Sequence, residues 1–213
     1  MIYRKLFVPA VIVGIAAAAA VPFTLADEAK DAAVQPQMKL PPGWTQEDMQ
    51  ATIAAATPGK MHEFLQKDVG IWKGKNTMWM SPGADPVSSD STATLTPMMG
   101  GRFVKCEVAG EMPGMGPYTG LGIYGFDNVS QKFVYMWIDN SSTGIANGTG
   151  DLSSDGKTLT WNITFNCPIT KKPQTIREVD TFTGPDSKTI EMFGADPKSG
   201  KEFEMIKVEL TRQ

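Results

Sequence analysis

Thr158-Leu159-Thr160-Trp161-Asn162-Ile163-Thr164-Phe165 alternates polar and apolar side chains without a break. In an extended chain successive side chains point to opposite faces. Leu159, Trp161, Ile163 and Phe165 therefore share one face, and Thr158, Thr160, Asn162 and Thr164 the other. The stretch reads as a strand with one face turned away from water. Ser154-Asp155-Gly156 just before it is a hairpin turn, which puts a neighbouring strand on its N-terminal side. The last strand repeats the pattern, with Ile206, Val208 and Leu210 against Lys207, Glu209 and Thr211.

Working outward, the same texture holds from Val69 onward. Short runs rich in Thr, Val, Ile and aromatics are separated by Gly, Asn, Asp and Pro clusters. That spacing predicts an antiparallel sandwich or barrel. Strands are expected near 70–80, 91–96, 102–109, 118–127, 131–139, 143–150, 157–166, 174–183, 188–194 and 202–212. Tight links at Asp127-Asn128, Pro185-Asp186 and Lys198-Ser199-Gly200 make successive strands neighbours in space. The fold class is mainly β: an up-and-down antiparallel barrel of about ten strands, with a two-sheet sandwich as the runner-up. Closure would remove the unpaired edges that so wide an open sheet exposes.

The 213-residue chain opens differently. Arg4 and Lys5 precede an apolar run from Leu6 to Leu25, and Thr24-Leu25-Ala26 supplies small residues before Asp27-Glu28. Residues 1–26 read as an export signal cleaved near Ala26, giving a periplasmic or secreted protein; the alternative is an uncleaved membrane anchor. No later apolar segment is long enough to span a membrane. Without Arg4 and Lys5 the 20 basic residues fall to 18 against 23 acidic ones, a net charge of −5. An acidic surface without a basic block argues against a nucleic-acid partner on electrostatic grounds. Residues 27–43 read as a flexible tether and 44–68 as short helices forming a lid or base. Thr45 is the expected cap of the first, with Asp48 in the capping-box position. Thr57 is the expected cap of the second, with Pro58 at its first position. Residues 69–213 form the barrel.

Two resemblances follow. Gly70-Ile71-Trp72 lies at a helix-to-strand junction, as does the Gly-x-Trp motif of lipocalins and related calycins. In those barrels a basic residue of the last strand packs over the Trp. Arg212, in phase with Ile206, Val208 and Leu210, is placed to do so here. The resemblance thus implies a structural role for Gly70, Trp72 and Arg212. The second resemblance covers residues 58–212. His62-Glu63-Phe64-Leu65, Gly70-Ile71-Trp72, Gly100-Gly101-Arg102-Phe103, Gly122-Ile123-Tyr124-Gly125-Phe126-Asp127-Asn128, Trp137-Ile138-Asp139 and Arg177-Glu178 occur in this order. Together they resemble the bacterial domain-of-unknown-function family 1579. That family implies an exported calycin-like barrel and no particular activity.

The residues leave few routes to chemistry. His62 is the one histidine, expected on the short helix as a capping or solvent-facing residue, which disfavours haem and zinc. Met112-Pro113-Gly114-Met115-Gly116 resembles the spaced thioethers of Cu(I) sites, but flexible thioethers lining a cavity is the reading adopted. No metal and no cofactor are expected. No Gly-x-Ser-x-Gly elbow is present. Asp139 ends the Phe133, Tyr135, Trp137 phase near a barrel mouth, as a base, a ligand-orienting group or a cap of the 140–143 turn. Arg102, after Gly100-Gly101, is placed to anchor an anionic group at the rim or to pair with Glu107 or Asp139. Asp139 and Arg102 are thus the catalytic candidates, in a protein read as more a binder than an enzyme.

The expected function is binding of a small apolar or amphipathic ligand inside the barrel. Its lining is expected from Trp72, Met78, Met80, Tyr124, Phe133, Tyr135, Trp137, Trp161 and Phe165. A fully packed structural or interaction barrel is the alternative, and a hydrolase or isomerase using rim residues a more distant one. Cys106 and Cys167, both in phase with apolar residues, are expected as buried free thiols, with a Cys106–Cys167 disulfide the less favoured state.

Overall fold

The alternation around Trp161 resolves into a ring of strands. A computed structural model describes residues 40–213, so the expected export signal (1–26) and most of the expected tether (27–43) lie outside the described residues. Ten antiparallel strands follow one another: β1 (Gly70–Met78), β2 (Val87–Met98), β3 (Phe103–Met112), β4 (Gly116–Asp127), β5 (Lys132–Asp139), β6 (Ala146–Leu152), β7 (Thr158–Cys167), β8 (Lys172–Gly184), β9 (Ser187–Ala195) and β10 (Glu202–Arg212). Each pairs with its successor, and β10 returns to pair with β1 from Trp72↔Arg212 to Met78↔Ile206. That last ladder closes the barrel and sets aside the two-sheet alternative.

Closure turns one phase of every strand inward. Leu159, Trp161 and Ile163 are buried together with Leu95, Val104, Phe133 and Leu210, and Trp161 is fully so. The outward phase is polar over most of the wall, as with Thr158, Thr160, Asn162 and Thr164 on β7. It is not polar on β4 and β5. There Leu121, Ile123, Met136 and Ile138 point outward and are half-buried or exposed, against the expectation of a uniformly solvated exterior.

Two helices precede the barrel. α1 (Gln46–Ala56) starts at Thr45, whose side chain accepts from the Asp48 N–H at 3.1 Å while the Asp48 carboxylate accepts from the Thr45 N–H at 2.8 Å. None of its residues is buried. α2 (Lys60–Gln66) departs from expectation at its start, because Gly59 and not Thr57 is the cap. The Thr57 hydroxyl instead turns back to donate to the Ile53 carbonyl at 2.6 Å, finishing α1. His62 satisfies the Gly59 N–H through Nδ1 at 3.0 Å. It is buried rather than solvent-facing, because its ring packs edge-on against Phe126 with centroids 5.9 Å apart. Phe64, on the same helix, meets Phe133 and Phe182 edge-on. α2 is therefore a plug across one end of the barrel. No helix among the described residues is long and apolar enough to cross a membrane.

Arg212 fastens that end. Its guanidinium lies 4.2 Å from the Trp72 ring centroid and donates to the Val69 and Lys67 carbonyls at 2.6 Å each, and to Asp186 at 3.0 Å. Trp72 donates its indole N–H to the Asp68 carbonyl at 2.8 Å. The planar fork suits Arg here, since it satisfies carbonyls left at the end of α2 while covering a ring. Gly70 has a φ of 144°, and a β-carbon there would meet the Arg212 guanidinium at 2.7 Å.

Candidate functional site

The inward faces do not fill the barrel. They enclose a cavity of about 910 Å³ that runs from Phe64 and Leu65 of α2 to Met112, Pro168 and the exposed 141–145 loop at the opposite end. Small residues on the inward phase make this room. Gly120 and Gly122 of β4 stand beneath the Trp137 indole, and a β-carbon at Gly120 would lie 2.2 Å from it. Gly150 of β6 does the same for Trp161, at 2.6 Å. The two indoles thus lie flat along the wall. Tyr135 stacks on Trp137 with planes 5° apart, and Tyr124 meets Tyr135 and Trp161 edge-on.

The expected lining residues divide into three groups. Met78, Tyr124, Tyr135, Trp137, Trp161 and Phe165 line the cavity. Trp72 and Phe133 are buried below it, in the packing between barrel and α2, because their strand positions lie nearest the plugged end. Met80 is 72% exposed and lines nothing. β1 ends at Met78, so the alternation that would carry Met80 inward stops one pair too soon.

Asp139 stands at the mouth and is occupied. One carboxylate oxygen accepts from the Ser141 N–H at 2.9 Å and hydroxyl at 2.7 Å; the other accepts from the Trp137 indole at 3.1 Å and the Tyr118 hydroxyl at 3.3 Å. Partial burial pushes its pKa up, but these donors outweigh burial and hold the carboxyl below its ordinary range. The turn-capping role is the one its contacts describe. Arg102 lies at the plugged end of the barrel, away from Asp139 at the mouth. It is exposed and donates to the Ala56 carbonyl at 3.1 Å and the Met99 carbonyl at 3.1 Å, tying the end of α1 to the β2–β3 connection. Neither of its expected partners is there, and Glu107 pairs instead with Lys105 at 2.8 Å.

The polar centre of the cavity lies on β8 and β9. Glu178 and Asp180 point inward between Ile176 and Phe182, 2% and 6% exposed, and Lys188 joins them from β9 at 6%. Lys188 donates to the Asp68 carboxylate at 2.6 Å and lies 5.2 Å from the Trp72 centroid. Asp180 accepts from the Trp161 indole at 3.2 Å through one oxygen. The two carboxyls also hydrogen-bond one another, and beyond that the other Asp180 oxygen and one oxygen of Glu178 have no donor among the described residues. Burial and the neighbouring Asp180 raise Glu178 well above the ordinary carboxylate range. Burial also raises Asp180, to about 6, against the opposing Lys188 charge and Trp161 hydrogen bond. Lys188 stays charged: burial would lower its pKa, but Asp68 and Asp180 raise it further.

Asp180, Lys188 and Asp68 were absent from the sequence-level candidates. A signal exists in the alternation, since Ile176, Glu178, Asp180 and Phe182 share one phase. Two acids between two apolar residues on an inward phase mark a buried charge cluster. No trio of His, Cys, Asp or Glu side chains among the described residues is arranged to hold a metal.

Fold and cavity together define a class: a closed ten-stranded antiparallel barrel, plugged by a helix at one end and hollow towards the other. The chain belongs to the family described as protein of unknown function (DUF1579), whose pattern matches residues 57–212. No curated protein matches it. Among solved structures it is similar to the crystal structure of Rv2717c from M. tuberculosis, at 15% identity and a TM-score of 0.54, over 74% of this chain and 99% of that one. That likeness supports the barrel fold alone. A de novo designed fluorescence-activating beta barrel matches at 12% identity with a TM-score of 0.39, over 70% of this chain and 96% of that one. A redesigned beta barrel matches at 13% and 0.37, over 71% of this chain and 94% of that one.

Proposed function

We propose that this barrel binds a small molecule with an elongated apolar body inside its cavity. The observation that carries the reading is the size and lining of that space. About 910 Å³ lies within the range of ligand pockets, roughly 300–1,000 Å³. Its wall is mainly apolar and aromatic, with polar groups at intervals: Asp139, Tyr118 and Glu111 towards the mouth, Asn76, Ser89 and Ser91 on β1 and β2, and Glu178, Asp180, Lys188 and Asp68 deeper in. Gly120, Gly122 and Gly150 let the Trp137 and Trp161 indoles lie against the wall, which keeps the axis of the barrel open. Export belongs to the same proposal, resting on the opening 1–26; a host-purified chain that retains Met1 would remove that part.

Titration with the neutral apolar fluorophore N-phenyl-1-naphthylamine tests the binding reading. We expect saturable emission enhancement with one site per chain and concurrent quenching of Trp137 and Trp161. Val108→Trp, which projects an indole into the space, is expected to reduce the enhancement at least tenfold. Emission that rises linearly without saturation, or that ignores Val108→Trp in a folded variant, refutes it.

A further inference from the structure

The cavity is apolar in area but one-sided in charge. Asp68, Glu111, Asp139, Glu178 and Asp180 line it, against Lys188 as the one cation among the lining residues. Asp68 is matched by Lys188 at 2.6 Å, and Asp139 has its four donors. Glu178 and Asp180 are different. They lie side by side on the inward phase of β8, both more than nine-tenths buried, and apart from the one proton that Glu178 can share with Asp180 no described donor reaches one oxygen of each. A buried acceptor left without a donor is costly, on the order of 1–3 kcal/mol, more when charged. One proton shared by two buried carboxyls on a cavity wall leaves both able to accept from a stronger, charged donor that enters the cavity.

We propose that Glu178 and Asp180 form a recognition site for the ammonium group of a cationic amphipathic ligand, a primary or secondary amine on an apolar body. This inference rests on the cavity being a ligand site, as proposed above. An ammonium brings two or three N–H donors and a positive charge, matching the acceptor oxygens of an acid-rich wall. The Tyr124, Tyr135 and Trp161 rings pack against one another on the wall, and Trp161 sits opposite Glu178 in the β7–β8 register. Aromatic faces favour cations and accept the first methylenes of an alkyl chain. On the mouth side of Glu178 and Trp161 along the same two strands, Ile176, Ile163 and Phe165 receive the apolar body.

The same inventory argues against an anionic head group. Lys188 is held by Asp68 at 2.6 Å beside the Trp72 and Phe182 rings, near the plugged end. A carboxylate entering the cavity would meet Glu178 and Asp180 first. A neutral alcohol offers a single donor and no charge.

Three ligands with one tail distinguish these cases: dodecylamine, dodecan-1-ol and dodecanoate. Each is used below its micelle concentration at neutral pH, competing against bound N-phenyl-1-naphthylamine on the full chain. Dodecylamine is expected to displace the fluorophore at a concentration at least tenfold below that of the alcohol, with dodecanoate weakest. In the Glu178→Gln/Asp180→Asn double variant the amine should lose that advantage over the alcohol, each displacement being referred to the variant's own fluorophore affinity. Asp180→Asn alone should remove part of it, which covers a double variant that fails to fold. Equal displacement by amine and alcohol, a preference for dodecanoate, or an amine advantage that survives in a folded variant overturns the head-group assignment and leaves the cavity reading standing. Absence of any saturable fluorophore binding overturns both.

Discussion

Asp180 ties the fold to pH as well as to any ligand. Its folded pKa, about 6, lies above the ordinary 3.8 because burial penalises the charged form. Between those values the unfolded chain has released its proton while the folded chain still holds one, so stability falls as pH rises across that window. Glu178, raised further by burial and by Asp180, acts in the same direction. Asp180→Asn keeps the shape and an acceptor for the Trp161 indole while removing the charge. Its stability is therefore expected to gain on the wild type between pH 4 and pH 6, by up to about 3 kcal/mol for a shift of two pKa units. Urea denaturation of both proteins at several pH values measures the gap, and a gap that stays constant would count against a buried, protonated pair. Arg102 shows that a residue can be singled out correctly as tied down and be given the wrong partners. Gly100 and Gly101, at φ 66° and 82°, turn the chain so that the Arg102 side chain reaches α1 rather than the barrel mouth.

At the scale of the element, the inward glycines of β4 and β6 decide what the barrel contains. Alternation alone places Gly120, Gly122, Gly148 and Gly150 inside, but only their neighbours show why they are glycines. A β-carbon at Gly120 would collide with the Trp137 indole at 2.2 Å, and at Gly148 with the Asn162 carbonyl at 2.7 Å. Gly120→Ala is expected to displace Trp137 or the strand, at roughly 1–3 kcal/mol. Gly144, in the exposed mouth loop, has nothing within 4 Å of the same position and serves as the control. Thermal melts should lower Tm for Gly120→Ala by about 2–4 °C per kcal/mol and leave Gly144→Ala near the wild type. Equal effects from the two would mean that the indole is not held against the wall. The short helices behave differently from one another. α1 is joined to the barrel by the Asn128 amide, which donates to the Ala54, Ala55 and Thr57 carbonyls at 2.8–3.2 Å, and by Arg102. α2 is joined by buried side chains.

Across the whole molecule the order of strands in the ring controls which groups can meet. Cys106 lies on β3 and Cys167 at the end of β7, with β4, β5 and β6 between them. Both are buried free thiols. Burial pushes the Cys106 thiol up to about 12, which suppresses the reactive thiolate. Hydrogen bonds from Thr170 lower the Cys167 thiol instead, so Cys106 is the thiol expected to be inert to a thiol-titrating disulfide reagent in the native protein, with two equivalents released once it is unfolded. Recovery of an intramolecular Cys106–Cys167 disulfide from folded protein would contradict this strand order. The same ring brings Lys188 of β9 within 2.6 Å of Asp68, a contact spanning 120 positions of chain.

The period-2 alternation after Val69 determined the ten strands, their inward residues and their meander, because side-chain direction in a strand is a local property of the backbone. The Gly70-Ile71-Trp72 junction and the phase of Arg212 likewise pointed to the plugged end before any contact was visible. What the sequence could not fix was depth along the barrel axis. Trp72, Phe133 and Met78 share an inward phase, yet only Met78 reaches the cavity, because depth depends on the register between strands and on where α2 seats. Whether the barrel is hollow, and that two carboxyls share its interior with one lysine, follow from closure of β1 on β10. That ladder joins residues at opposite ends of the described chain, and no local pattern encodes it.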